Sequence, residues 1–577
     1  MSKKVKKIDF SRSRIASRAD KYYNEGKFIP ALRLAYKELE LFGGDGDIYT
    51  RLSDIYEAMG LHGSAINWWF RFLDIAEEED LPDIYEGLAV NYLNTGNETA
   101  SAYYYNRLID ADETLPEETK LDIAEAFSKN KKSGFRFVYP PKLADYSREM
   151  DAGSRALKAG DCERAIAFLS VVEKGSKDYN SAQEMQAVAQ LLAGNADKAQ
   201  EICETLLQDD PNDVRVLATL AATYLEQGKT DEGRVLAERL CEIPLTDTDD
   251  MYKVATVCCE NGLHEEAYKK FTELEEKLPF DGRMLYFKAV SAFKCGKYTE
   301  SERAFDELCG VYPDAEVAKY YLRALRVYNE EKESGNENAE LPKEPNYFYH
   351  LPQEEREERC RMLIHIKERA KDEAQLFGLL AWHDGYFRWC FDEMDGGDHD
   401  LQYLALVTAE HIRADDFIRE VLLDDEVLDI LKVEALRMLY ERNEEDEYGL
   451  VLCHIYRRIR LLKIAIGRKK RKRFLEAYAK IASKFVVIND EYGKKIKKAA
   501  EELYRALENN ASLDLVDSTD DCACAIFLLS GLKELRGNVD AVASAFEANA
   551  AKVRVLLTQV ASDKFTTDEK NIEEENK

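Results

Sequence analysis

Residues 211–244 read PNDVRVLATLAATYLEQGKTDEGRVLAERLCEIP, and the frame they set decides the fold. Gly228 stands near its centre. Steps of 34 positions from it land on Gly194 and Gly160 in one direction and on Gly262 and Gly296 in the other. A fixed period of this length marks a helix–turn–helix unit that is copied and stacked.

Two further columns travel with the glycines. Seven positions before each come Gly153, Ala187, Ala221, Ala255 and Ala289; five positions after come Ala165, Ala199, Gly233, Ala267 and Ser301. Both stay small while their neighbours vary, as a close helix crossing requires, since a larger side chain there overpacks by about 1–3 kcal/mol. The glycine suits a helix C-terminus, where the left-handed backbone is cheap only without a Cβ. Twelve positions on, Val172, Leu206, Leu240, Leu274 and Leu308 form an apolar column, and Pro211, Pro279 and Pro313 close three units at one offset.

The frame extends backwards. Gly26, Gly60 and Gly96 are preceded by Ala19, Ser53 and Ala89 and followed by Ala31, Ala65 and Ser101, with Tyr22, Tyr56 and Tyr92 four positions before them, as Tyr224 is in the later block. Eight units fit one template. The order small–Gly–small–apolar–Pro resembles the tetratricopeptide repeat, over roughly residues 12–330. The fourth position, where that family often has Trp, holds Leu217, Met251 and Leu285, with Gln183 in the fifth unit.

The expected fold is all-α: a tetratricopeptide-type α-solenoid superhelix followed by a separate, mainly helical C-terminal domain. The pattern from Tyr448 to Gly467 alternates well enough for one small β-hairpin there. Residues 1–11 read as a basic tail, 12–115 as three repeats and 116–146 as an interrupted repeat. Within that interruption lies a loop from Phe135 to Pro141, where two prolines stop a helix. Five repeats and a capping helix fill 147–330, and 331–352 has a linker's composition. A helical domain is expected over 353–510, helix–turn–helix-like helices over 511–560, and a disordered tail over 561–577.

Net charge is −30 with 33% charged residues, the balance of a solvated helical surface or of a groove for basic partners. No apolar run reaches the length of about 20 residues needed to cross a bilayer, and the N-terminus has no apolar signal core. Twelve cysteines are scattered, several at helical core positions such as Cys203 and Cys258, and read as reduced packing residues. The expected compartment is cytoplasmic.

The resemblance implies binding on the concave face lined by the first helix of each unit. Its groove positions fall on Arg215, Ala218 and Ala222, then Tyr252, Lys253 and Thr256, then Arg283, Tyr286, Val290 and Phe293. Tyr, Phe and Arg are the types that anchor buried interfaces. The family's carboxylate clamp is missing: its positions hold Ala16, Asp20, Arg51, Asp83 and Gly87. The expected role is a non-catalytic scaffold that takes a protein or peptide segment, without cofactor or metal.

An alternative reading lies in the segment 460–505, with 15 Lys and Arg against 5 Asp and Glu. Its core, Arg468, Lys469, Lys470, Arg471, Lys472 and Arg473, suits nucleic-acid phosphates or the protein's own acidic surface. Val542, Ala543, Phe546, Ala548, Val553 and Leu556 have helix–turn–helix spacing, which puts Lys552 and Arg554 on a reading helix. Other chemistry is thin. His383 and Asp384 resemble half of an HD-type metal site, with His365 and Asp424 as weak partners. Asp395, Asp398, His399 and Asp400 do not have the order of a calcium loop. Cys522 and Cys524 lack a second pair at zinc spacing.

Overall fold

Eight repeat glycines adopt positive φ, between 70° and 79°, in the computed structural model, so the period is first of all a backbone rule. The structure describes residues 11–112, 114–128, 146–174, 176, 178–369, 384–392, 394, 398–532 and 538–575. At each repeat glycine the following N–H reaches back five residues, as from Lys229 to the Tyr224 carbonyl at 2.8 Å and from Leu263 to Cys258 at 2.8 Å. This is the Schellman closure of the first helix. Gly335 makes the same closure at φ 87°, with Asn336 bonded to Glu331.

The helical pairs are α1 Arg12–Asn24 with α2 Phe28–Phe42, α3 Gly46–Ala58 with α4 His62–Ile75, and α5 Leu81–Asn94 with α6 Glu98–Ala111, then a lone α7 Glu117–Ser128. Five more pairs follow: α8 Ser147–Lys158 with α9 Cys162–Leu169, α10 Tyr179–Leu192 with α11 Ala196–Asp209, α12 Val214–Glu226 with α13 Thr230–Glu242, α14 Thr248–Glu260 with α15 His264–Glu275, and α16 Gly282–Lys294 with α17 Tyr298–Val311. The capping helix α18 spans Glu316–Glu333.

Both small columns are buried, and they touch each other. Ser101 donates its hydroxyl to the Ala89 carbonyl at 2.8 Å, and Ser301 does the same to Ala289 at 2.7 Å. A Cβ on Gly233 would lie 3.3 Å from the Ala221 carbonyl oxygen. Helix starts share the period too. Asp213, Asp247 and Asp281, 34 residues apart, each accept backbone N–H groups at the first turn of α12, α14 and α16.

Beyond α18 come α19 Gln353–Arg369, α20 Asp384–Cys390, α21 His399–His411, α22 Asp415–Leu423 and α23 Asp429–Glu441. An antiparallel hairpin follows, β1 Asp446–Leu452 and β2 Ile455–Leu461, in the register Asp446 to Leu461. Its two-residue turn, Cys453 and His454, has φ of 50° and 65°, the double left-handed turn that matches strand twist. The chain ends in α24 Arg471–Val486, α25 Asp490–Asn509, a 3₁₀ turn Leu513–Leu515, α26 Thr519–Ser530, α27 Val539–Ala545 and α28 Ala550–Glu575. Ile481, Ile496, Leu503, Leu507, Ile526 and Leu556 are all buried among these helices.

The chain divides into two compact units. One holds residues 1–127, 357–391 and 397–577; the other holds 128–356 and 392–396. The C-terminal helices therefore share a unit with the first three repeats, where the sequence pattern had suggested a domain of its own. Two other expectations differ from what is seen. The stretch 331–352 is not a free linker, because its second half lies against the repeats before it. Helical backbone in α28 continues to Glu575 through the tail expected to be disordered, a stretch without Gly or Pro to stop it. The Phe135–Pro141 loop and residues 1–10 lie outside the described residues.

Candidate binding faces

In the second unit, the face presented by the first helices carries an irregular piece of the same chain, bent at Tyr347–Tyr349. Tyr286, on α16, donates its hydroxyl to the Asn346 carbonyl at 2.7 Å and lies 3.3 Å from that of Phe348. Its ring meets Tyr349 edge-on at 4.8 Å. Tyr347 stacks on Phe287 at 5.9 Å, and its hydroxyl is 2.9 Å from His264 Nδ1. Lys294 pairs with Glu344 and also covers the Tyr347 ring. Tyr321, on α18, bonds to the His350 carbonyl, while Tyr349 donates to Asp392 at 2.9 Å.

This packing explains the electrostatics of the face. Burial pushes the Tyr286 hydroxyl well above its usual range, with Tyr321 adding to it. Burial does the same to Tyr349, reinforced by the Asp392 charge. Both phenols stay neutral donors, which suits backbone carbonyls as partners. Of the three successive aromatics Tyr347, Phe348 and Tyr349, Phe348 alone turns outward, 77% exposed.

The expected groove residues fall into four groups. Tyr286 meets the segment directly. Tyr252 supports it indirectly, edge-on to Phe287 at 6.1 Å and to Phe271. Val290 and Phe293 are buried, Phe293 against Tyr298 at the start of α17. The others lie apart from the segment: Arg215 pairs with Asp250, Lys253 with Glu184, and Thr256 caps back onto the Lys253 carbonyl, while Arg283 is exposed. Ala218 is buried. Sequence reasoning missed Phe287, His264, Lys294 and Tyr321. The available signal was Tyr347-Phe348-Tyr349, three aromatics in succession inside an otherwise polar stretch.

The first unit has a docking face of its own. The hairpin turn and the residues after α22 lie on α4, α5 and α6. Asn67 donates to Asp424 at 3.1 Å and accepts from the Asp425 N–H at 2.8 Å. Tyr92 donates to Asp425 at 2.9 Å, and His454 Nδ1 sits 2.9 Å from the same oxygen. Tyr104 bonds to the His454 carbonyl and accepts from the Tyr456 N–H, while Tyr456 donates to Asp74 at 2.9 Å. Leu423 and Val451 join the core made by Phe70, Leu88, Tyr92 and Tyr104. Gly449 is needed here: a Cβ would fall 2.0 Å from Asp74 Oδ1.

Three of the eight expected basic residues are engaged by their side chains inside the same unit. Arg473 donates to the Asp517 carbonyl, Lys552 pairs with Asp517 at 2.7 Å, and Arg554 pairs with Asp540. Arg468, Arg471 and Lys472 line a depression of about 540 Å³ shared with Glu410, Glu441 and Glu476. Lys470 starts α24 in a left-handed conformation, and the Lys469 carbonyl accepts from Tyr504. Val553 is fully buried while Arg554 stays at the surface.

His383 and Asp395 lie outside the described residues, and Asp424 is bonded to Asn67. Among the described residues no group of three His, Cys, Asp or Glu side chains is placed to hold a metal ion. Cys522 and Cys524 are buried on α26. No helix among them is long and apolar enough to cross a membrane.

Comparison with known proteins agrees with the repeat geometry. Two tetratricopeptide-repeat family models match residues 150–214 and 190–248. The TPR repeat-containing protein YvcD of Bacillus subtilis (strain 168) is 20% identical over 302 residues, which are 51% of this chain and 60% of that protein, under two thirds of its length. Among solved structures, YrrB, titled a TPR protein with an unusual peptide-binding site, is 15% identical and overlaps 35% of this chain and 97% of its own, with a TM-score of 0.24. A tetratricopeptide repeat protein from Parabacteroides merdae ATCC 43184 is 11% identical over 55% of this chain and 98% of its own, with a TM-score of 0.27. Both overlaps are partial. The 34-residue spacing, the glycine-closed helix pairs and the two family matches show that this chain carries tetratricopeptide repeats.

Proposed function

We propose that the chain is a non-catalytic interaction scaffold that holds a short protein segment on the first-helix face of the repeats in its second unit. The observation that supports this reading is the bond from Tyr286 to the Asn346 carbonyl, with Tyr347 and Tyr349 inserted on either side. A tyrosine reading a main-chain carbonyl, flanked by aromatic slots, is a way of gripping a peptide by its backbone irrespective of most of its side chains. Residues 344–350 occupy that face in cis, so a partner gains access by displacing them. The local concentration of a tethered segment is high, which sets a threshold that only a tighter or more abundant partner crosses.

The test replaces residues 344–350 with a Gly/Ser stretch and titrates a synthetic peptide of residues 341–352. Saturable binding to the replaced chain, and at least tenfold weaker binding to the intact one, is the expected result. Failure of the peptide to bind the correctly folded replaced chain would remove this face from the proposal.

A further inference from the structure

Cys241 and Cys258 are free thiols whose sulfur atoms stand 2.9 Å apart. A disulfide needs about 2.0 Å, so closing the pair takes about 0.9 Å of movement. Cys241 lies in the last turn of α13 and Cys258 in α14, joined by the short connection 243–247. The pair thus bridges the second helix of one repeat and the first helix of the next. The two sulfurs differ in access: Cys258 is fully buried and Cys241 is half-buried.

We infer that Cys241 and Cys258 form an oxidisable dithiol, with Cys241 the thiol oxidised first and Cys258 the resolving partner, the oxidant being a peroxide. The hydrogen bond from Cys258 holds the Cys241 thiol below its usual range; Lys270 acts in the same sense, while burial, Glu266 and Glu238 oppose it. Thiolate character and access decide which cysteine reacts. The other cysteines are poorer candidates. Burial pushes Cys203, Cys259 and Cys522 up to about 12, and the exposed Cys453 is raised by its bond to the Asp429 carboxylate.

The chemistry balances with hydrogen peroxide as co-reactant. The Cys241 thiolate attacks one peroxide oxygen, the O–O bond breaks, and the departing hydroxide takes a proton to leave as water. Cys241 is then a sulfenic acid. Cys258 attacks its sulfur, the S–S bond forms as the S–O bond breaks, and the hydroxide leaves as water with the Cys258 proton. Two thiols and one peroxide become one disulfide and two waters. The cross-link fixes α13 to α14, the helix that carries Tyr252 and Cys259.

The test uses the full chain, reduced, freed of reductant and treated with a small excess of hydrogen peroxide. Non-reducing peptide mapping should find the Cys241–Cys258 link as the first disulfide, with loss of two alkylatable thiols and a rise in melting temperature reversed by reductant. Both cysteines still alkylating at a dose that oxidises Cys453 would overturn the proposal. Cys258→Ser should leave a Cys241 sulfenic acid trapped by dimedone, and Cys241→Ser should leave none at Cys258. Equal trapping in the two would overturn the assigned order. Should either variant misfold by circular dichroism, the mapping of the unaltered chain decides.

Discussion

The hydroxyl of Tyr104 and the carbonyl of His454, 350 positions apart in the chain, meet at 2.9 Å. His454 is the second residue of a hairpin turn built without glycine, and both turn residues hold the left-handed conformation. That conformation costs a non-glycine residue roughly 1–2 kcal/mol. Contacts on all sides offset it: Tyr104 on the carbonyl, Asp425 on the imidazole, Asp429 on the Cys453 N–H. Tyr104→Phe should therefore loosen the hairpin from the repeats at a cost of about 1–2 kcal/mol. Hydrogen exchange of residues 446–461 should speed up while that of α12–α17 stays unchanged; uniform protection would show the bond to be dispensable.

A second prediction contrasts two glycines. Gly228 has φ 73° and open space where a Cβ would go, so Gly228→Ala costs only backbone strain, about 1 kcal/mol. Gly449 faces Asp74 Oδ1 at 2.0 Å and Leu423 at 2.9 Å from the same built Cβ. Gly449→Ala must push aside the Asp74 carboxylate, which Tyr456 holds, and Leu423, at a cost of about 1–3 kcal/mol. Urea unfolding monitored at the repeats and at the hairpin should show the larger loss, and the loss of coincident transitions, only for Gly449→Ala.

What was legible in the sequence follows from where the constraints reside. Gly228, Ala221 and Gly233 obey rules set within a single unit, so copying the unit copies the rules and the period becomes visible. Tyr104 and His454 obey a rule set across 350 positions, and nothing near either residue announces the other. Asp424 reads only as a weak partner of an HD-type pair, although Asn67 meets it and Tyr92 meets its neighbour Asp425. The face around Tyr286 was half-legible: the family pattern selects Tyr286 and Tyr252, while Phe287 and Lys294 take part because of what Tyr347 and Glu344 bring to them. A linker's polarity hid those aromatics.

The docking in the first unit should depend on pH. Although Glu426 keeps an exposed edge, desolvation by its neighbours, reinforced by the charges of Asp424 and Asp425, lifts it from 4.5 to about 7. A carboxyl raised in the docked state holds its proton there more tightly than when freed. Between pH 4.5 and about 7 the docked state thus binds more protons, so its stability falls as pH rises through that window and gains nothing further below 4.5. Hairpin exchange should be slower at about pH 6 than at about pH 8 after correction for intrinsic rates, and Glu426→Gln should flatten the difference. An unaltered slope in that variant would assign the dependence to other groups.

The last prediction separates main-chain recognition from aromatic packing on the face of the second unit. Tyr286 offers a ring, edge-on to Tyr349, and a hydroxyl aimed at the Asn346 carbonyl. Tyr286→Phe keeps the first and removes the second. A net hydrogen bond is worth about 1 kcal/mol, or about fivefold in affinity. In the chain whose residues 344–350 are replaced, the 341–352 peptide should bind Tyr286→Phe about fivefold more weakly than the parent, and Tyr286→Ala weaker still because the ring contacts go too. In the intact chain the same Tyr286→Phe change weakens the tethered segment and the added peptide together, so apparent affinity should hardly move. A fivefold loss in the intact chain as well would mean that the peptide and residues 344–350 use different surfaces. Equal binding by all three forms would mean that the hydroxyl reads only its own chain.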